Sequence, residues 1–157
     1  MNEDQLKIFI DCVKNYFSQF NANDEVEFGT PFVNSPERIK EVILDYTGTI
    51  AISGDYVGAL YISTGRPLLD ALAKKILGTQ EVSESDVVDI AGELANTIAG
   101  NVRKSLGKGF EISVPMIISG KFSSMEIPRL KSPTYVVPFK WMNCQSYICI
   151  GLDRVAG

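Results

Sequence analysis

The sequence predicts an α+β fold in which a mainly antiparallel sheet of six strands carries three helices packed on it. Two segments repeat their apolar residues with the helical period, a third is bounded by helix start and stop signals, six runs have the length and residue types of strands, and the order is helix, three strands, two helices, three strands. No composition shift or low-complexity stretch divides the chain, so residues 1–157 are expected to form one domain.

Leu6, Phe9, Ile10, Val13, Phe17 and Phe20 recur at helical spacing and predict a first helix over residues 3–20. Asn2 is placed to cap it, Gln5 completes a capping box, and Asn21 and Asn23 form a stop signal. A strand follows over residues 26–33. Ser35 and Pro36 interrupt the pattern, and β-type composition resumes from Ile39 to Ser53. The pair Gly54 and Asp55 reads as a tight hairpin into a strand from Tyr56 to Ser63.

The second helix is expected from Pro67 to Leu77, with Thr64 available near its start and Gly78 just past its end. The third begins after Ser83 or Ser85, where Glu84 and Asp86 meet the positive end of the helix dipole, and runs to Leu106. Arg103 and Lys104 fill its last turn and Gly107 is expected as a left-handed cap. The GKG at residues 107–109 is therefore a helix stop; a phosphate loop needs a glycine five residues earlier, where Val102 stands. Strands are expected over Phe110–Ser119, Thr134–Trp141 and Gln145–Leu152, the last almost uninterruptedly apolar and so inside the sheet. Residues 123–133, with two prolines and two basic residues, read as a surface loop or edge.

Composition removes several classes of chemistry. Hydrophobic residues make up 45% and charged residues 22%, the balance of a globular protein. The net charge is -4 and no Lys/Arg cluster tracks a phosphate backbone, which argues against nucleic acid as a partner. Histidine is absent, so Ser-His-Asp, Cys-His and His-zinc sites are excluded. Three cysteines form no framework and suit a reducing compartment. Cys144 and Cys149 lie five apart in a strand and point to opposite faces, so all three are read as structural thiols and no metal site is expected. The N-terminus starts acidic, unlike a signal peptide, and no run approaches the roughly 18 apolar residues of a membrane span. A cytoplasmic location is expected.

The third helix carries the informative face. At about 100° per residue, Val87, Ala91, Leu94, Ala95, Ile98 and Val102 gather on one side and must face the sheet. Asp89, Glu93, Asn96 and Gly100 occupy the opposite meridian, with Glu93 and Asn96 neighbours at i and i+3. A solvated polar face would account for the carboxylate and amide alone. The glycines need more: a helical side chain leans over the preceding turn, so any residue at 100 would cover Asn96, and Gly92 lowers the flank. Two glycines in an exposed helix interior each cost about 1 kcal/mol relative to alanine, a loss offset by close approach of a partner.

The segment Asp89-Ile-Ala-Gly-Glu93-Leu-Ala-Asn96-Thr-Ile-Ala-Gly100-Asn, followed by Ile112-Ser-Val-Pro115 and Ile118-Ser-Gly120, resembles the signature of the CheC/CheX/FliY phosphatases of bacterial chemotaxis, the CheX members most closely. The order of elements agrees with that resemblance over most of the chain. It implies a CheC-like fold and hydrolysis of the aspartyl phosphate on a CheY-type response regulator. Asn96 would orient the attacking water and Glu93 would pair with a regulator lysine, with Asp89, Gly92 and Gly100 at the docking face. No cofactor is implied for this chain, Mg²⁺ being held by the regulator. CheC-like members carry a second ExxN on the first helix; here no Glu stands three residues before Asn15, so one active site per chain is implied. The resemblance further implies a homodimer joined at sheet edges, with Tyr135–Leu152 as the expected seam. The alternative is a noncatalytic module of the same fold that docks on a receiver domain or a flagellar switch protein.

Overall fold

The computed structural model describes residues 1–20, 23, 25–35, 37–122 and 130–155, and its first helix starts where the capping chemistry lies. In α1 (Glu3–Ser18) the Asn2 side-chain Oδ1 accepts from the Gln5 N–H at 2.8 Å, and the Gln5 side-chain Oε1 accepts from the Asn2 N–H at 3.0 Å. The helix ends two residues earlier than the apolar pattern suggests. Asn21 and Pro36 lie outside the described residues, as do residues 123–129 of the expected loop.

The single strand expected over 26–33 is two, β1 (Glu27–Phe28) and β2 (Phe32–Val33). Pro31 stands between them and has no N–H to give a ladder. The β-type run expected from Ile39 begins instead as a one-turn helix, α2 (Ile39–Val42). Its Ile39 and Val42, with Ile43, cover Val136 and Cys149 on one face of the sheet, and that burial overrides the strand preference of branched residues. Beyond it, β3 (Tyr46–Gly54) and β4 (Tyr56–Thr64) form the predicted hairpin, with Gly54 at φ 95.

The helix α3 (Arg66–Leu77) has Pro67 in its first turn and Gly78 in the left-handed region at φ 65, ψ 25. Thr64 does not cap it. The Asp45 carboxylate, just before β3, accepts from the Arg66 N–H at 2.8 Å and closes the helix from outside. Next comes α4 (Glu84–Leu106), capped by Ser83 and Asp86 in a reciprocal pair. Gly107 ends it at φ 99, ψ -174, an extended positive-φ conformation open essentially to glycine alone rather than the left-handed cap expected. The run expected over 110–119 is β5 (Phe110–Ile112) and β6 (Met116–Ser119), separated by Pro115, and β7 (Tyr135–Trp141) and β8 (Cys144–Arg154) complete the chain. The two splits account for eight strands where six were expected.

All described pairings are antiparallel, in the order β1-β7-β8-β4-β3-β5, with β2 also on β7 and β6 also on β3. As expected, β8 is interior, bonded to β4 and β7. The expected dimer seam is closed within the chain, because β7 is itself bordered by β8 on one side and by β1 and β2 on the other. Among the described residues the open edges are those of β1/β2 and β5/β6.

The main core fills the space between the sheet and α1, α3 and α4. Trp141, the single tryptophan, is fully buried there with its ring centroid 4.9 Å from that of Phe17. Cys144 packs toward this core and Cys149 toward the opposite cluster, as the strand parity predicts. Burial raises the thiol pKa of all three cysteines, that of Cys149 to about 12, which disfavours the thiolate form. No helix among the described residues is long and apolar enough to cross a membrane.

Candidate functional site

The site is built on α4, whose 23 residues are held along their whole inner face. Val87, Ala91, Leu94, Ala95, Ile98 and Val102 are buried as predicted, together with Ile90 and Ala99. One contact sets how closely the helix approaches the sheet. A Cβ at Gly48 of β3 would lie 2.9 Å from the Ala95 Cβ, so glycine facing alanine brings the axis down onto the strand. Ala95 points inward, and Asn96, one residue further on, is exposed to solvent.

Asp89, Glu93 and Asn96 are all exposed on the outer face, and Glu93 and Asn96 are adjacent across one turn. Asn96 has no hydrogen-bond partner among the described residues, so its carbonyl and amide are both available. Glu93 differs. Its Oε2 accepts from the Tyr16 hydroxyl of α1, and its Oε1 accepts from Thr97 Oγ1 at 3.1 Å. The Tyr16 ring is buried against Phe17 and Phe20, with edge-on centroid distances of 5.1 and 5.3 Å. Burial first, and then the bond to Glu93, push the phenol pKa upward, so the group stays a donor.

The two glycines lie where the face needs to be low. A Cβ at Gly100 would meet nothing within 4 Å, and one at Gly92 would make ordinary contact with Ile117 at 3.9 Å. Neither is required by packing among the described residues. Gly100→Ala is accordingly expected to stabilise the fold by about 1 kcal/mol, read as a raised denaturation midpoint from Trp141 fluorescence. Beyond Gly100, a hollow of about 390 Å³ is lined by Arg103, Lys104, Lys108, Gly107 and Ile112. None of its three cations has an ion-pair partner among the described residues.

At its other end α4 is anchored by Glu84, which accepts from Tyr46 and pairs with Arg66. The Tyr46 bond, followed by Arg66, holds the Glu84 carboxyl below its usual pKa. The structure therefore brings Glu93 and Asn96 together as predicted, with Asp89 and Gly100 on the same face and Gly92 on its flank. Sequence reasoning missed Tyr16 and Thr97. Thr97 is readable as the i+4 neighbour of Glu93, whereas Tyr16 falls on the apolar stripe of α1 and nothing local shows where its hydroxyl goes.

A mainly antiparallel sheet with helices packed on it in this order is the fold of the CheC-like chemotaxis proteins. The structure is similar to that of a CheC-like superfamily protein from Shewanella sp. PV-4, at 26% identity and TM-score 0.80 over 98% of this chain and 99% of that one. The chemotaxis protein CheX from Desulfovibrio desulfuricans gives 24% identity and TM-score 0.77, with 96% and 99% covered. A chain of the CheX-CheY-BeF3-Mg²⁺ complex from Borrelia burgdorferi gives 21% and 0.74, with 98% and 100% covered. No curated protein matches the chain. The chain belongs to the CheX family: the profile described as chemotaxis phosphatase CheX matches residues 46–140, from the first residue of β3 into β7.

Proposed function

We propose that this protein hydrolyses the aspartyl phosphate of a phosphorylated CheY-type response regulator, using Glu93 and Asn96. The observation that carries this reading is the exposure of a carboxylate and an unpartnered carboxamide side by side on a rigid helix. Family membership and the Borrelia burgdorferi complex of CheX with CheY support the choice of partner.

The chemistry asks little of the protein beyond placement. Water attacks phosphorus, the bond between phosphorus and the aspartyl oxygen breaks, and the products are the free carboxylate and dihydrogen phosphate, which retains both protons of the water. No side chain has to accept a proton permanently. Asn96 accepts a hydrogen bond from that water and donates one in turn, holding it in line without ionising. Glu93 pairs with a lysine beside the phosphoaspartate and fixes the register of docking. Mg²⁺ supplies charge neutralisation from the regulator's own carboxylates; among the described residues no group of three Asp, Glu or Cys is arranged to hold a metal.

Asp89, Gly92 and Gly100 border the contact. Gly100→Leu, which fills the space above Asn96, is expected to slow phosphate loss although the helix itself is strengthened. The reaction belongs in the cytoplasm with its regulator, one site per chain and one domain. Edge-to-edge homodimerisation, where it occurs, has β1/β2 or β5/β6 as its open edges.

The test follows phosphate loss from phosphorylated regulators with and without this chain. Acceleration supports the proposal, and tight binding without acceleration leaves the noncatalytic docking module in its place. Glu93→Ala should raise KM about tenfold or more through loss of a charge-assisted contact. An unchanged KM would remove Glu93 from the docking role.

A further inference from the structure

We propose that Tyr16 is a positioning residue for Glu93, holding the docking carboxylate in its binding orientation from a separate helix before the partner arrives. This rests on the reading of Glu93 above and adds to it an element that the signature of α4 does not contain.

The geometry has three parts. Each oxygen of Glu93 accepts one hydrogen bond, Oε2 from the Tyr16 hydroxyl and Oε1 from Thr97 Oγ1. A carboxylate has about four acceptor positions, so two remain toward solvent for a cation on the partner. The Tyr16 ring cannot follow Glu93 if the carboxylate swings away, because it is 1% exposed and wedged between Phe17 and Phe20. Thr97 stands on the same helix as Glu93 and moves with it. Tyr16 does not, and it ties the carboxylate to α1, whose next residue Phe17 packs on Trp141 of β7.

An exposed glutamate normally samples many rotamers and must be ordered when it binds, at a cost in affinity. With both oxygens held, that ordering is completed on folding. A tyrosine burying its ring for packing alone would be replaceable by phenylalanine, and its hydroxyl need not aim at the carboxylate that stands beside Asn96.

The experiment combines Tyr16→Phe, which keeps the ring, with Glu93→Ala. Tyr16→Phe is expected to raise KM about threefold to tenfold, the size of an ordering cost moved from folding to binding, with kcat at saturation nearly unchanged. In a Glu93→Ala background the same substitution should have no further effect on KM. Equal effects in both backgrounds, or none in the first, overturn the proposal. A readout without any partner keeps it independent of the phosphatase reading. NMR couplings of the Glu93 side-chain methylenes should report one rotamer in the native protein and averaging in Tyr16→Phe. Averaged couplings already present in the native protein would refute positioning by Tyr16. Absence of accelerated phosphate loss with the native chain counts against the phosphatase reading, and the couplings still decide the role of Tyr16.

Discussion

Asn96→Ala is expected to lower the rate of phosphate loss from a saturated regulator by on the order of 10²-fold, the scale associated with misplacing a reacting group. The expectation follows from where the side chain sits. The Asn96 side chain makes no hydrogen bond to the described residues, so its removal leaves no buried group unpaired and no cavity behind. Alanine is the better helix former, so stability should hold or rise slightly. With Glu93 and the docking face intact, KM should change little, and the defect should appear in kcat. Single-turnover phosphate release with native and variant chains at saturating regulator measures it. A variant that hydrolyses at the native rate would show that the water is held by some other group. Asn96→Asp is the sharper companion, since it keeps the size but replaces the amide donor by negative charge facing a phosphoryl group.

The largest effect on the fold is expected at Gly58. A Cβ there would lie 1.9 Å from the Gly151 carbonyl oxygen and 3.1 Å from the Leu152 Cα, both backbone atoms of β8. No rotamer change relieves such an overlap, so the strands must separate in the interior of a ladder pairing Tyr56–Thr64 with Ser146–Arg154. Gly58→Ala should therefore cost about 3 kcal/mol or more, a large share of the roughly 5–15 kcal/mol that stabilises a typical domain. Urea unfolding followed by Trp141 emission gives the number directly. A loss below 1 kcal/mol would mean that the two strands can part cheaply.

The contrast between α4 and its surroundings shows what a sequence can convey. The Ser83 cap, the buried stripe and the outward Glu93 and Asn96 are all encoded within a few residues of one another, and the structure places them as the periodicity requires. The features missed depend on distant partners. Ile39–Val42 reads as strand until Val136 and Cys149 are seen beneath it, and the cap of α3 comes from Asp45, 21 residues before Arg66. Gly58 looks like an ordinary weak point in a strand until β8 lies against it. The splits at Pro31 and Pro115 were readable, since proline breaks a ladder wherever it falls.

The packing of α1 on β7 has a consequence for how the protein is made. Phe17 settles on Trp141, and Glu27 pairs with Lys140, so segments synthesised earlier are completed by strands synthesised more than a hundred residues later. A nascent chain carrying the whole of α4 still lacks the last hairpin that closes the sheet beneath α1. Such long-range closure slows folding, and the emergence of β7 and β8 rather than synthesis of the signature helix should mark the moment when the surface around Glu93 first takes shape.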